Sequence, residues 1–307
     1  MENIEDIKDI VIKCYTEILK RFPHENEIKQ VINDHKNELN SEFLKEILLQ
    51  SNEYNTSKQG HIMWSAFLNE TYEAVLKLKV KPIPEKSSNV VVIVEPRKHK
   101  LLEYTLTNIM HMLNGKWSLV IFHGPSNEKF VRNIVAKWNS LKTVKFININ
   151  KHNILPLPQQ NEYDKFLKSL KFWNCLKGFD YALCIQTDTL MLDSNINEFI
   201  NMNYDYIGAP WKYDDVNGGH LEVGCGGFSL RKVSKMIEII KSHETSSNEP
   251  EDIFFSKHIT NKPSLTIAKY FCTEHILCEE SLAIHRPWLY EDNIYCLQKL
   301  KDYLNIV

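Results

Sequence analysis

The chain has 307 residues, 43% hydrophobic and 25% charged, with 10 glycines and 11 prolines, which is a globular composition long enough for two cores and not that of a disordered chain. A formal charge of -2 is nearly balanced and the basic residues are scattered along helical stretches, so no nucleic-acid partner is expected. The acidic start MENIEDIKDI lacks the order of a signal peptide, no apolar run approaches the ~20 residues of a membrane span, and seven cysteines make no CxxC pair, so the expectation is a soluble, cytoplasmic protein with reduced core thiols.

Residues 1–80 carry helical periodicity, with Ile7, Ile10, Val11, Tyr15, Ile18 and Leu19 on one face. Further helices are predicted over 25–35 after Pro23, over 41–50 with Ser41 as N-cap, and over 62–78. No titratable cluster converges in this helical domain. Three uses stay open for it: self-association into a homo-oligomer, acceptor binding, or neither. Lys81-Pro82-Ile83-Pro84-Glu85-Lys86-Ser87-Ser88 then breaks helix twice and is polar, so 81–89 is predicted to be an exposed linker and 90–307 a second domain.

Beyond the linker the texture changes. Apolar runs at Val90 to Val94, Leu119 to Phe122, Val144 to Ile149 and Tyr181 to Thr187 predict strands. Helices are predicted between them at Lys100 to Leu113, Asn127 to Trp138 and Asp164 to Leu176. Strands alternating with helices imply a mostly parallel sheet, whose ligands bind beyond the carboxyl ends of its strands.

Asp188, in Gln186-Thr187-Asp188, follows the fourth predicted strand. It is placed either to hold a hard divalent cation against a ligand's phosphates or simply to turn the chain. In YDYIGAPW, Trp211 offers an aromatic face for a sugar ring or fills the core under a loop. VGCGGFSLR holds three of the glycines, Gly224, Gly226 and Gly227, before a helix that Ser229 is expected to cap. That arrangement allows close approach of an oxygen-rich ligand, with Arg231 pairing a phosphate; the alternative is a loop needing positive φ beside a solvated arginine. Glu251 and Asp252, after Pro250, suit either a general base or the first turn of a helix. His285, in AIHRPW, is a late candidate ligand for manganese, or an ordinary histidine.

In this order the motifs VVIVEPR, FHG, KSLKFW, QTDT, YDYIGAPW, GGFSLR, EPED and HRPW resemble those of a family of uncharacterised glycosyltransferase-like domains from giant viruses and bacteria, over roughly Val90 to Tyr290. The resemblance implies a Rossmann-like GT-A domain with a mostly parallel central sheet, preceded by the small all-helical domain. It also implies a nucleotide-sugar donor, a UDP-sugar being favoured, and a glycan or glycoprotein acceptor. The Asp-any-Asp metal motif of that fold maps onto Asp188 by its last acid, with Gln186 standing where the first acid is usual. His285 is similar to the late histidine that completes the shell of a manganese or magnesium ion.

By the same resemblance Glu95 and Arg97 face the nucleobase and ribose, and Gln186, Thr187, Gly226, Gly227, Arg231 and Trp211 line the donor. Glu251 and Asp252 resemble the acid pair that supplies the base in inverting members. If the chain is viral, host cytoplasm or virion is the implied location. A second resemblance, resting on Ser51-Asn52-Glu53-Tyr54, links about the first 55 residues to a small helical domain found beside carbohydrate-active proteins. The rival readings are a non-catalytic nucleotide-sugar or glycan binding module, motivated by Gln186, and a scaffold built on a decayed enzyme.

Overall fold

A computed structural model describes residues 4–19, 23, 25–35, 40–152, 160–211, 221–245 and 249–306. Helices α1 (Ile4–Ile18), α2 (Glu25–His35) and α3 (Ser41–Gln50) surround a small core of their own, centred on Val11, Cys14, Leu44 and Leu48. Asn40, not Ser41, caps α3: its Oδ1 accepts from Phe43 N at 2.9 Å, and Ser41 is the first helical residue. Ser51 caps α4 (Asn52–Leu76) by accepting from Tyr54 N, so that helix starts ten residues before the predicted Ile62.

Helix α4 spans both regions. Tyr54 packs on the small core, whereas Trp64, Phe67 and Val75 belong to the core of the α/β body, and Thr71 shares a 2.8 Å hydrogen bond with Tyr104. The proline-marked segment also touches that body, since Ile83 is buried and its N–H donates to Ser140 Oγ at 3.0 Å. Its prolines break helix as expected, but the apolar residue between them pulls the segment onto the sheet layer.

The α/β body then runs β1 (Asn89–Glu95), α5 (Leu102–Met112), β2 (Ser118–His123), α6 (Glu128–Ala136), β3 (Lys145–Asn148), α7 (Gln160–Leu167), α8 (Leu170–Asn174), β4 (Tyr181–Ile185), β5 (Thr189–Met191) and α9 (Ile196–Asn201). It continues through β6 (Tyr206–Pro210), β7 (Val223–Lys232), α10 (Val233–Ser242), α11 (Glu251–His258), α12 (Leu265–Phe271), β8 (Cys272–Thr273), β9 (Ala283–His285) and α13 (Gln298–Tyr303). The main sheet has order β3-β2-β1-β4-β7-β6; β1 to β4 are parallel and β7 is antiparallel to both neighbours. A smaller sheet, β5-β9-β8, sits beside it.

The strands are apolar throughout because both faces are covered: Val91, Ile93, Leu119, Ile121 and Leu183 enter one core, and Val90, Val92, Val120, Phe122 and Cys184 the other. Three local expectations are corrected. The helix foreseen over 164–176 is two helices broken at Ser169, whose Oγ accepts from Phe172 N. Strand β4 stops at Ile185, leaving Gln186 to Asp188 in the turn. The glycine-rich stretch is strand, not loop, so Ser229 lies inside β7 and the next helix begins at Val233. Among the described residues no helix is long and apolar enough to cross a membrane.

Candidate active site

The turn from β4 to β5 carries Asp188 past the carboxyl end of a central parallel strand, and β5 then pairs antiparallel with β9, opposing Thr189 to His285. Arg286 N donates to Asp188 O at 3.0 Å, Thr105 Oγ1 to Thr187 O at 2.8 Å and Thr189 Oγ1 to Gly227 O at 3.2 Å, so the turn is tied to three elements. Asp188 Oδ1 comes within 3.4 Å of His285 Nε2, and Gln186 Oε1 within 3.3 Å of the same nitrogen across 99 residues of sequence. The other ring nitrogen, Nδ1, lies 3.1 Å from Glu274 Oε2.

Burial opposes a charged imidazole at this place, yet Glu274 and Asp188 outweigh it and raise His285 to about 10. Burial likewise opposes ionisation of the two acids, and His285 overcomes it: Asp188 is held below its ordinary value, and Glu274 well below, with Arg286 adding to both. Gly227 explains how the ring fits, since a Cβ there would overlap the imidazole. Gly226 makes room in the same way for Glu251. The glycines, expected to let a ligand approach, are thus emptied for side chains of this chain.

A second cluster lies beyond Gly226. Arg231 is fully buried, 4.8 Å from the Tyr206 ring and 5.6 Å from that of Phe255, with both terminal nitrogens on Glu251 and Nε donating to Ser229 Oγ at 2.8 Å. It has no face for a phosphate, because it is fully buried and each of its three nitrogens is bonded inside the core. Glu251 is equally spent on Arg231 and does not offer a free base. Asp252 differs: it is only partly buried, with Oδ2 accepting from Gly226 N at 3.1 Å and Oδ1 from Ile253 N at 2.8 Å. Burial, and then the charges of Glu251 and Asp164, push its carboxyl up to about 7. Asp164, accepting from Glu251 N at 3.2 Å, is pushed to about 6 by burial first and Glu251 next.

Gln186 joins the two clusters, since its amide nitrogen donates to Tyr163 OH at 3.4 Å while its oxygen faces His285. An amide makes the bridge by donating to one side and accepting from the other, whereas a carboxylate there would have to accept from both. At the end of β1, Glu95 is buried and chelates the exposed Arg97 through Arg97 N, Nε and Nη2 at 2.8 to 2.9 Å. Asp188 adds to the upward push on Arg97, which Glu95 dominates, so the pair stands within electrostatic reach of the turn. Trp211 is buried, so of its two readings the core one holds; its N donates to Glu222 O at 3.0 Å.

The structure therefore brings together Gln186, Thr187, Asp188 and His285, leaves Asp252 in the second cluster beside Gly226, and turns Arg231, Glu251 and Trp211 inward. Sequence reading missed Glu274, which follows β8, and Asp164, which it placed on a helix without a role. The only signal was an acid after an apolar run, in Phe271-Cys272-Thr273-Glu274. Glu274 also meets Cys225 Sγ and a His275 nitrogen, all within 4.8 Å of one another, a group of three donors found among the described residues. Burial, with the charge of Glu274 behind it, pushes the Cys225 thiol up and keeps it protonated. Cavities of about 500 and 440 Å³ open elsewhere, on either side of Asp193, the first beside Lys299 and Tyr303 and the second beside Phe199 and Tyr270.

The donors around Asp188 suit a divalent ion such as manganese once His285 gives up a ring proton: Asp188 Oδ1 and Gln186 Oε1 both lie within 3.4 Å of His285 Nε2, and Gly227 leaves the ring its room.

A family model described as "Protein of unknown function (DUF5672)" matches residues 143–287, just under half of the chain. No curated protein matches the sequence. Among solved structures the chain is similar to the galactosyltransferase LgtC in complex with donor and acceptor sugar analogs (TM-score 0.44, 9% identity, covering 69% of this chain and 95% of that one). It is also similar to the bifunctional glycosyltransferase WbbM (0.43, 11%, 72% and 50%). A third likeness is to 4-diphosphocytidyl-2C-methyl-D-erythritol synthase from Anaerococcus prevotii (0.37, 10%, 58% and 85%).

Proposed function

We propose that this chain is a glycosyltransferase of GT-A type. It moves a sugar from a nucleotide-diphosphate donor, a uridine one being favoured, to a hydroxyl of a glycan or glycoprotein. The observation that carries the reading is the meeting of Gln186, Asp188 and His285 beyond the carboxyl end of β4, where open α/β sheets take their ligands. The ordered motifs from VVIVEPR to HRPW add to it.

When bound, a manganese or magnesium ion neutralises charge on the leaving diphosphate. Asp188 and His285 would hold it, with Gln186 Oε1 as a third donor. Asp252 takes the proton of the acceptor hydroxyl while that oxygen bonds to the anomeric carbon and the bond to the diphosphate breaks. A carboxyl near 7 suits this task, since it is ionised in useful amount at neutral pH yet basic enough to accept a proton. Glu251 contributes by its charge, which keeps Asp252 basic. One displacement with one base inverts the anomeric centre, which NMR of the product reads directly.

The test is thermal stability with UDP, GDP, CDP and dTDP, each with manganese or with chelator, for the wild type and Asp188→Ala. Ligand at ~100 times its dissociation constant adds about 2.7 kcal/mol, a shift of a few degrees. A shift for one nucleotide that needs both manganese and Asp188 supports the proposal. The absence of any shift removes it, and nucleotide binding without turnover across donor and acceptor pairs favours a binding module.

A further inference from the structure

We propose that Glu274 is a positioning residue for the metal site, holding His285 by Nδ1 so that Nε2 is presented to the ion beside Asp188. This rests on the metal-dependent reading above and names a residue that no motif marked. An imidazole has two nitrogens, and the one it offers to a cation is decided by what the other is bonded to. Here the division is geometric. Nε2 faces Asp188 Oδ1 and Gln186 Oε1, and Nδ1 lies 3.1 Å from Glu274 Oε2, a charge contact off the line of a hydrogen bond between two buried atoms that have no hydrogen-bond partner among the described residues.

The backbone makes that arrangement stiff. Strands β8 and β9 are parallel, with Thr273 beside Ile284, so the next residues along, Glu274 and His285, are set side by side by sheet register. The carboxylate is 4% exposed and its other oxygen faces His275 Nε2 at 3.9 Å and Arg286 Nη1 at 4.0 Å, which leaves it little freedom to turn away. On the opposite side Gly227 walls the ring, and the pairing of Thr189 with His285 ties the ring's strand to the Asp188 turn. Glu274 is thus spent on orienting a ligand and not on holding the ion.

Manganese titrations followed by electron paramagnetic resonance test this on the full chain without turnover. Six proteins are compared: wild type, Glu274→Gln, Glu274→Asp, His285→Gln, the Glu274→Gln His285→Gln double variant and Cys225→Ser, with thermal midpoints recorded for each. Glu274→Gln keeps volume and an acceptor but loses the charge, and its manganese affinity is expected to fall about 10- to 100-fold. If Glu274 acts through His285, the double variant binds no more weakly than His285→Gln, because nothing remains to be oriented. Glu274→Asp, which restores charge with shorter reach, recovers part of the loss and shows that the effect is not a loss of fold.

Wild-type affinity in Glu274→Gln overturns the inference while leaving Asp188 and His285 as ligands. Additive losses in the double variant overturn it too. A loss in Cys225→Ser as large as in Glu274→Gln makes Glu274 a direct ligand with Cys225 and His275, again against it. No manganese binding by the wild type refutes the metal reading itself, and the inference with it.

Discussion

Replacing Asp252 by asparagine removes one titrating group from a half-buried place and separates catalysis from stability. In the folded chain this carboxyl is raised from its ordinary 3.8 to about 7, chiefly by burial. The folded state therefore holds its proton where the unfolded state has lost it, and stability falls as pH rises between those two values. At about 1.36 kcal/mol per pH unit, the loss from pH 5 to pH 8 comes to about 2.7 kcal/mol, most of it below pH 7 and the remainder as the last half of the group ionises. The asparagine side chain does not titrate, so Asp252→Asn gains about 2.7 kcal/mol relative to wild type between pH 5 and pH 8. An offset common to both pH values comes from the amide, which cannot accept from both Gly226 N and Ile253 N as the carboxylate does. Denaturant unfolding at the two pH values measures the difference. Turnover of the same variant is expected to drop ~10²- to 10⁴-fold, and in the wild type kcat/KM is expected to rise with pH through about 7. A stability difference that is the same at pH 5 and pH 8 refutes the raised carboxyl, and undiminished turnover refutes its use as base.

Arg231→Met is expected to cost about 3–5 kcal/mol, because it leaves Glu251 buried without its cation, and the paired Arg231→Met, Glu251→Leu change is expected to recover most of that in a melting experiment. Recovery in the pair identifies the ion pair as packing; failure to recover, together with lost nucleotide binding, would return Arg231 to the donor site. A chain starting at Ser87 is expected not to fold, because it lacks Trp64, Phe67 and Val75 of the α/β core, aromatic deletions costing roughly 3–5 kcal/mol each. A chain starting at Ser51 keeps them and its circular dichroism should show a cooperative melt; equal behaviour of the two truncations refutes the shared role of α4.

Much of the layer structure is legible in the residues themselves. Val90 to Val94 and Leu119 to Phe122 are apolar without alternation, which only a sheet covered on both faces requires, and the helical periods between them place the covering layers. Asp188 at a strand end and His285 late in the chain were equally visible, because an acid or a histidine inside an apolar run stands out locally. Local pattern misleads where two residue types serve two structures. Glycines before a helical period resemble a ligand cradle, yet Gly226 and Gly227 are bare because Glu251 and His285 fill the space where their side chains would be. Arg231 looks like a surface cation until β7 is seen to be central and Glu251 arrives from another element.

The sequence by itself determined the α/β class and the order of the parallel strands along the chain, and it singled out Asp188 and His285 as candidates, since each depends on periodicity or contrast within a few positions. Only the tertiary structure decided which polar groups meet. Burying a charge costs several kcal/mol unless a partner comes with it, and that partner is supplied by strand register between distant segments, as Glu274 is to His285 and Glu251 to Arg231.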